Sequence, residues 1–127
     1  MKLKYTILYV ESVVATLEFY ENAFGFKRRF LHETGDYGEL DTGETTLSFS
    51  SLKLMSDLGK NPQKADSSAP VFEIALETTD VSKGLKQALQ HGATLVQDVK
   101  EEPWGQTTSY VSDINGFLVE ICSPVQQ

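Results

Sequence analysis

The nine residues DINGFLVEI, numbered 113–121, combine a tight turn with a β-strand. Asn115-Gly116 is a dipeptide that favours the turn of a hairpin, and the apolar residues after it alternate with others, as strand side chains do. The nine residues DTGETTLSF, numbered 41–49, lie 72 positions earlier and show the same order of turn and strand. We therefore predict that the chain contains one structural unit twice.

The first copy begins with an apolar run at 5–10, which predicts a strand. Apolar residues then recur at steps of four, three and four over 13–24, the spacing of one helix face. Ser12 suits the N-cap of this helix, and Gly25 suits the position just after its end. Three strand-like runs follow, separated by glycines: 26–33, 37–41 and 45–51.

The second copy repeats this order, with a strand at 72–77 and a helix between Asp80 as N-cap and Gly92. Strands are again predicted after it, at 93–99, 106–112 and 117–122. The sequence thus predicts an α+β fold of tandem βαβββ modules within a single domain, 1–127. We place module one at 1–53, a polar linker at 54–70 and module two at 71–127.

Composition restricts the partners of this protein. Its 127 residues fit one domain. Eleven basic and 18 acidic residues give a net charge of −7, which disfavours nucleic acid and anionic membrane surfaces as partners. The single cysteine, Cys122, fits a reducing compartment, and no apolar run approaches a membrane span. We expect a cytoplasmic protein.

Several motifs resemble those of the vicinal-oxygen-chelate superfamily, which includes glyoxalase I, the bleomycin-resistance proteins and the extradiol dioxygenases. They are the strand at 8–12, the Phe19-Tyr20 pair, the Gly25-Phe26 step, Trp104-Gly105-Gln106 and 113–121. The superfamily's usual turn is Asp-Pro-Asp-Gly, and this chain keeps its first and last residues. The resemblance implies two modules that form a curved, incomplete β-barrel. The ligand of such proteins lies in its cup, which is often completed between two chains.

The resemblance also implies four metal-ligand positions, on the first and last strand of each module. These positions hold Tyr5, Ser48, Glu73 and Glu120. Relatives usually have His, Gln or Glu there, and only the two glutamates are good ligands for a divalent ion. We therefore expect either no cofactor or a weakly held divalent metal ion such as Mg²⁺ or Mn²⁺.

The favoured function is binding of a small molecule in a cup at a homodimer interface, without a typical histidine-containing metal site. An acidic chain suits a cationic ligand, and aromatic rings provide stacking surfaces. The alternatives are a metal-dependent glyoxalase-type lyase or isomerase, a dioxygenase, and a scaffold with a vestigial cup. In an enzyme, Glu73 and Glu120 are the catalytic candidates. The ligand-binding candidates are Tyr5, Tyr9, Ser48, Trp104, Gln106 and Tyr110.

Each candidate also has a structural interpretation. Glu73 and Glu120 are compatible with ion pairing or with a polar strand position beside solvent. His91 suits a helix C-terminus, and His32 suits an exposed strand. Trp104 either covers the core or provides a flat wall for a ligand. Cys122 is expected to pack rather than to react.

Overall fold

The computed structural model describes residues 1–126, which form three helices and eight strands. The chain divides into two compact units, with unit 1 at Met1–Ala65 and unit 2 beginning at Asp66. The elements of unit 1 are β1 (Tyr5–Val10), α1 (Val13–Phe24), β2 (Lys27–Leu31), β3 (Tyr37–Asp41), β4 (Thr46–Ser51) and α2 (Leu52–Asp57). Those of unit 2 are β5 (Glu73–Glu77), α3 (Val81–Gln90), β6 (Thr94–Glu102), β7 (Gln106–Ser112) and β8 (Leu118–Cys122).

Each unit has one four-stranded mixed sheet, and the two sheets have the same topology. Their strand orders are β1-β4-β3-β2 and β5-β8-β7-β6, and in each the first strand runs parallel to the last. Ile7 lies opposite Ser48 in unit 1, and Ala75 lies opposite Glu120 in unit 2. Ser48 and Glu120 are 72 positions apart, the same offset as that between the two nine-residue motifs. The predicted α+β fold of repeated βαβββ modules is confirmed, and neither sheet closes into a barrel.

Helix α1 packs an aromatic core against the sheet of unit 1. Leu17, Tyr20 and Phe49 are fully buried, and the ring centroids of Tyr20 and Phe49 lie 5.2 Å apart. Gly38 of β3 allows this helix to approach closely, because a Cβ atom there would lie 2.7 Å from the Leu17 Cδ1 atom. The Ser12 hydroxyl caps the helix by accepting a hydrogen bond from the Ala15 backbone N–H at 3.1 Å.

Helix α3 packs an aliphatic core in unit 2. Leu85 is nearly buried, and Val111 and Val119 are fully buried. Gly84 is the close-approach residue here and lies on the helix, where a Cβ atom would meet the Ile121 Cγ2 atom at 3.3 Å. The Asp80 carboxylate caps α3 by accepting from the Lys83 backbone N–H at 3.1 Å. Both predicted N-caps are therefore confirmed.

The polar segment predicted as a linker begins with a helix that the sequence analysis missed. Helix α2 starts after Ser51, whose hydroxyl accepts from the Leu54 backbone N–H at 3.0 Å, and its Met55 side chain is buried. The surrounding Lys, Asp and Ser residues concealed this single apolar anchor. Within residues 1–126, none of the helices has the length and apolarity needed to cross a bilayer.

The turn at 113–117, in the motif that ends in β8, is held by hydrogen bonds to one side chain. The Asp113 carboxylate accepts hydrogen bonds from the backbone N–H groups of Asn115 and Phe117, each at 2.8 Å. Gly116 has a φ of 95°, a left-handed conformation that glycine adopts without steric cost. Ile114 stands where the usual turn of the superfamily has proline, and both Asp113 contacts are present with it.

Candidate functional site

The sheet of unit 2 has one face covered by α3 and one face opposite to it, which we call the acidic face. Val119 and Ile121 of β8 are buried beneath α3, so Glu120 between them points to the opposite side. The same alternation places Tyr110 of β7 beside Glu120, because these two residues are directly opposed in the β7–β8 register. The acidic face is formed by Glu73, Tyr110, Glu120 and Cys122.

A short hydrogen bond joins two residues of the acidic face. The Tyr110 hydroxyl donates to the Glu120 Oε2 atom at 2.6 Å. This bond is the largest cause that raises the pKa of Tyr110 well above its usual range, and burial and the charges of Glu120 and Glu73 add to it. The phenol therefore stays protonated at neutral pH and acts as a donor to carboxylate.

Glu73 lies on the same face, at the start of β5. Ala75 is opposite Glu120 in the parallel β5–β8 register, and Glu73 lies two residues before it with the same orientation. The charge of Glu73 adds to the rise in the pKa of Tyr110. Glu73 and Glu120 therefore lie on one face of the sheet, and the Tyr110 hydroxyl donates its proton to Glu120.

Cys122 closes the acidic face at the end of β8. Its side chain is buried, and burial together with the neighbouring Glu120 raises the pKa of the thiol to about 11. Because the thiolate is the reactive form of cysteine, this thiol is a poor nucleophile at neutral pH. Cys122 serves as a small packing residue.

Trp104 and Gln106 form a separate polar contact at the beginning of β7. The Trp104 indole N–H donates to the Gln106 Oε1 atom at 2.7 Å, and the Gln106 amide donates to the Ser123 carbonyl at 2.9 Å. Trp104 is 56% exposed, so the interpretation in which it covers the core is wrong.

The opposite face of the unit 1 sheet, away from α1, carries the remaining sequence-predicted residues. Tyr5 is 46% exposed, whereas Ser48 is fully buried and its hydroxyl lies 3.5 Å from the Thr6 carbonyl. The Tyr9 hydroxyl accepts a hydrogen bond from the Lys60 ammonium at 3.3 Å. The same ammonium lies over the Tyr9 ring, 5.5 Å from its centroid, so this ring already contacts a cation of its own chain. Because Ser48 is buried, it is poorly placed to ligate a metal.

Sequence reasoning missed a second tyrosine–glutamate pair on this face. The Tyr37 hydroxyl donates to the Glu39 Oε2 atom at 2.7 Å. Burial raises the pKa of Tyr37 and Glu39 adds to the rise, whereas a hydrogen bond with Ser48 opposes it. Tyr37 and Glu39 lie at alternate positions of β3, whose bounds the sequence predicts correctly. Their neighbour Ser48 lies on β4 opposite Glu39, and this placement is known only from the β3–β4 register.

The donor groups do not fit the transition-metal site of the superfamily. Within the described part of the chain, 1–126, no three His, Cys, Asp or Glu side chains come together in a way that could hold a metal ion. His32 lies in an exposed turn, where its ring contacts the Thr34 hydroxyl at 2.9 Å. His91 lies at the C-terminal end of α3, with its Nδ1 atom 2.9 Å from the Gln87 carbonyl.

A groove on the other side of the unit 2 sheet lies between α3 and β6. Its volume is about 640 Å³, and its lining includes the apolar residues Leu85, Leu89 and Val99. Lys86 and Asp98 also line it. None of the sequence-predicted site residues lines this groove, so it is distinct from the acidic face.

Comparisons with known proteins agree with this architecture. A family model described as a glyoxalase-like domain matches residues 3–126. A glyoxalase-related enzyme from Fulvimarina pelagi is similar in structure, with a TM-score of 0.84, 18% identity and coverage of 97% of this chain and 88% of that chain. A glyoxalase/bleomycin resistance protein/dioxygenase family enzyme from Burkholderia phytofirmans PsJN is also similar in structure, with a TM-score of 0.81 and 20% identity. The match covers 97% of this chain and 98% of that chain. No curated protein is significantly similar to the chain in sequence.

Proposed function

This chain belongs to the glyoxalase-like domain family, and we propose that it is a member that binds a small organic cation without a resident metal ion. The acidic face of unit 2 is the proposed binding surface. The observation that carries the proposal is the position of Glu73 and Glu120 on one face of the sheet, with the Tyr110 hydroxyl hydrogen-bonded to Glu120. One neutral donor leaves most of the acceptor positions of the two carboxylates available to a ligand.

The charge of the acidic face favours a cationic group. Glu120 and Glu73 have no ion-pair partner among the salt bridges that connect residues 1–126. An ammonium or amidinium group would supply the charge and the N–H donors that both carboxylates lack. The net charge of −7 attracts a cation to the protein at longer range.

A metal-dependent lyase or dioxygenase that uses Glu73 and Glu120 fits the donor groups less well. Two of its four expected ligand positions are a neutral phenol, Tyr5, and the buried hydroxyl of Ser48. Divalent transition metals prefer imidazole and carboxylate ligands to neutral hydroxyl groups. Such an enzyme would need water in most of the coordination sphere.

We propose a homodimer as the working form, in keeping with the binding cups of related proteins. The support is the edge strand β6, nine residues long, on which Leu95, Val96 and Val99 are all more than one-third exposed. Apolar side chains on an edge strand favour association unless they are covered. Trp104, Gln106 and Tyr5 remain proposed ligand contacts, as exposed or partly exposed polar and aromatic groups.

The proposal is tested with two probes of the same shape and opposite charge, benzamidine and benzoate. Calorimetry should detect binding of benzamidine and none of benzoate. The variants Glu73→Gln and Glu120→Gln should each weaken benzamidine binding about tenfold, because each removes a charged acceptor. The control Glu39→Gln, which alters the matching tyrosine–glutamate pair of unit 1, should leave binding unchanged.

Equal binding of both probes, or no effect of either acidic-face variant, would contradict the cation-binding proposal. Native mass spectrometry of the purified protein reports its mass together with any retained ligand. A monomer at micromolar concentration would rule out the homodimer.

A further inference from the structure

We propose that Tyr110 is the specificity-determining residue that directs the acidic face toward hydrogen-bonding organic ligands and against divalent metal ions. This inference rests on the proposed function, in which the chain works without a resident metal. It assigns the reason for metal exclusion to one hydroxyl group rather than only to the missing histidines.

The Tyr110 hydroxyl is hydrogen-bonded to one of the two Glu120 oxygens that a metal ion would use as ligands. Tyr110 and Glu120 are direct cross-strand neighbours, and their oxygens are 2.6 Å apart. A metal ion that binds Glu120 through this oxygen, or through both of its carboxylate oxygens, must first break this hydrogen bond. Hydrogen bonds to a charged acceptor are among the stronger ones in proteins, so this loss weakens metal binding.

Glu73 lies on the same face as Glu120 and is the second carboxylate near the Tyr110 hydroxyl. In the β5–β8 register it stands two residues before Ala75, which is opposite Glu120, and its charge acts on the Tyr110 hydroxyl. The hydrogen bond from Tyr110 offsets part of the Glu120 charge and so reduces its repulsion with Glu73, which would otherwise favour the uptake of a cation between them. Removal of the hydroxyl therefore frees Glu120 and restores that repulsion, and both changes favour a metal ion.

Unit 1 contains a matched control for this argument. Tyr37 donates to Glu39 at 2.7 Å, nearly the same hydrogen bond as in the acidic face. The second group that faces the Tyr37 hydroxyl is Ser48, not a carboxylate. Loss of the Tyr37 hydroxyl therefore frees one carboxylate without placing it beside another.

The experiment titrates Mn²⁺ into the full chain by calorimetry and by electron paramagnetic resonance. We expect weak binding by the unmodified protein, at least about tenfold tighter binding by Tyr110→Phe, and no gain for Tyr37→Phe. Adding Glu73→Gln to Tyr110→Phe should remove the gain. Circular dichroism checks that each variant is folded, and Tyr110→Leu replaces Tyr110→Phe if the latter unfolds.

The outcomes separate this inference from the proposed function. Tight Mn²⁺ binding by the unmodified protein would overturn the metal-free function and this inference with it. Equally weak binding by the unmodified protein and by Tyr110→Phe would overturn only the role of Tyr110. An equal gain in Tyr37→Phe would overturn it as well, because the second carboxylate would then be irrelevant.

Discussion

The two units share one backbone plan and differ in what they bury. Unit 1 buries the aromatic side chains of Tyr20 and Phe49 between its sheet and a helix of 12 residues. Unit 2 buries smaller aliphatic side chains, such as Val111 and Val119, beneath a helix of ten residues. Unit 1 thus buries the larger apolar groups, and burial of such groups is the main source of stability. The comparison indicates that one topology accommodates cores of different size.

The faces opposite the helices differ as well. In unit 1 the tyrosine rings of β1 carry ammonium groups of the same chain, with Lys4 at 5.9 Å from the Tyr5 centroid and Lys60 at 5.5 Å from the Tyr9 centroid. In unit 2 the corresponding face carries carboxylates. Tyr5 and Glu73 occupy equivalent positions of the two copies, so the same place holds a phenol in unit 1 and a carboxylate in unit 2.

The largest expected effect comes from the aromatic core of unit 1. Phe49→Ala should lower the free energy of unfolding by about 3–5 kcal/mol, because it removes a fully buried ring and leaves a cavity. The matched control is Phe30→Ala, since Phe30 lies in the same unit but is 44% exposed. Urea unfolding followed by circular dichroism should show less than half the loss for the control. Equal losses would break the assignment of stability to this core.

A smaller effect should distinguish the two close-approach glycines. Gly38→Ala should cost about 1–3 kcal/mol, because its new methyl group meets the buried Leu17 and Val13 side chains at 2.7 and 3.0 Å. Gly84→Ala meets the Ile121 side chain at 3.3 Å and gains about 0.8–1 kcal/mol of helix propensity. Its net change should stay within about 1 kcal/mol in thermal unfolding. A larger penalty at Gly84 than at Gly38 would reverse the comparison.

The smallest effect should appear only at alkaline pH. The folded protein raises the pKa of Tyr110, so it binds the phenolic proton more tightly than the unfolded chain does. This contribution to stability is complete below the ordinary tyrosine pKa of about 10 and is lost as pH rises above it. Between neutral pH and pH about 11, the unmodified protein should therefore lose more stability than Tyr110→Phe.

Tyr37→Phe provides the comparison in unit 1. The pKa of Tyr37 is raised in the same direction, mainly by burial, but the hydrogen bond with Ser48 opposes the rise. The alkaline difference should be smaller than for Tyr110→Phe in guanidinium unfolding curves. If stability fell equally with pH in the unmodified protein and in both variants, folding would not raise the pKa of either hydroxyl, and the prediction would be wrong.

Local signals made most of the fold predictable from the sequence. Ser12 and Asp80 are side chains that cap helices, and Asn115-Gly116 is a turn dipeptide, so each acts over a few residues. The repeated spacing of these signals gave the two modules. The strands at 37–41 and 106–112 have the predicted bounds.

The contacts that were missed depend on details that alternation does not set. The hydrogen bond of Tyr110 with Glu120 follows from the register of two strands, and that of Tyr37 with Glu39 from side-chain rotamers within one strand. Helix α2 was missed because one buried methionine, Met55, anchors it within a polar segment. The exposure of Trp104 was equally undetermined, because an aromatic residue after a proline suits both a core and a surface.

The buried thiol at the end of β8 makes the protein a convenient background for chemical labelling. Cys122 is the single cysteine of the chain, and its thiol is both shielded and held in the protonated form. A cysteine introduced on the surface would carry an ordinary thiol pKa and would react with a maleimide much faster than Cys122. Fluorophores or spin labels can thus be attached at chosen sites while Cys122 is left unchanged.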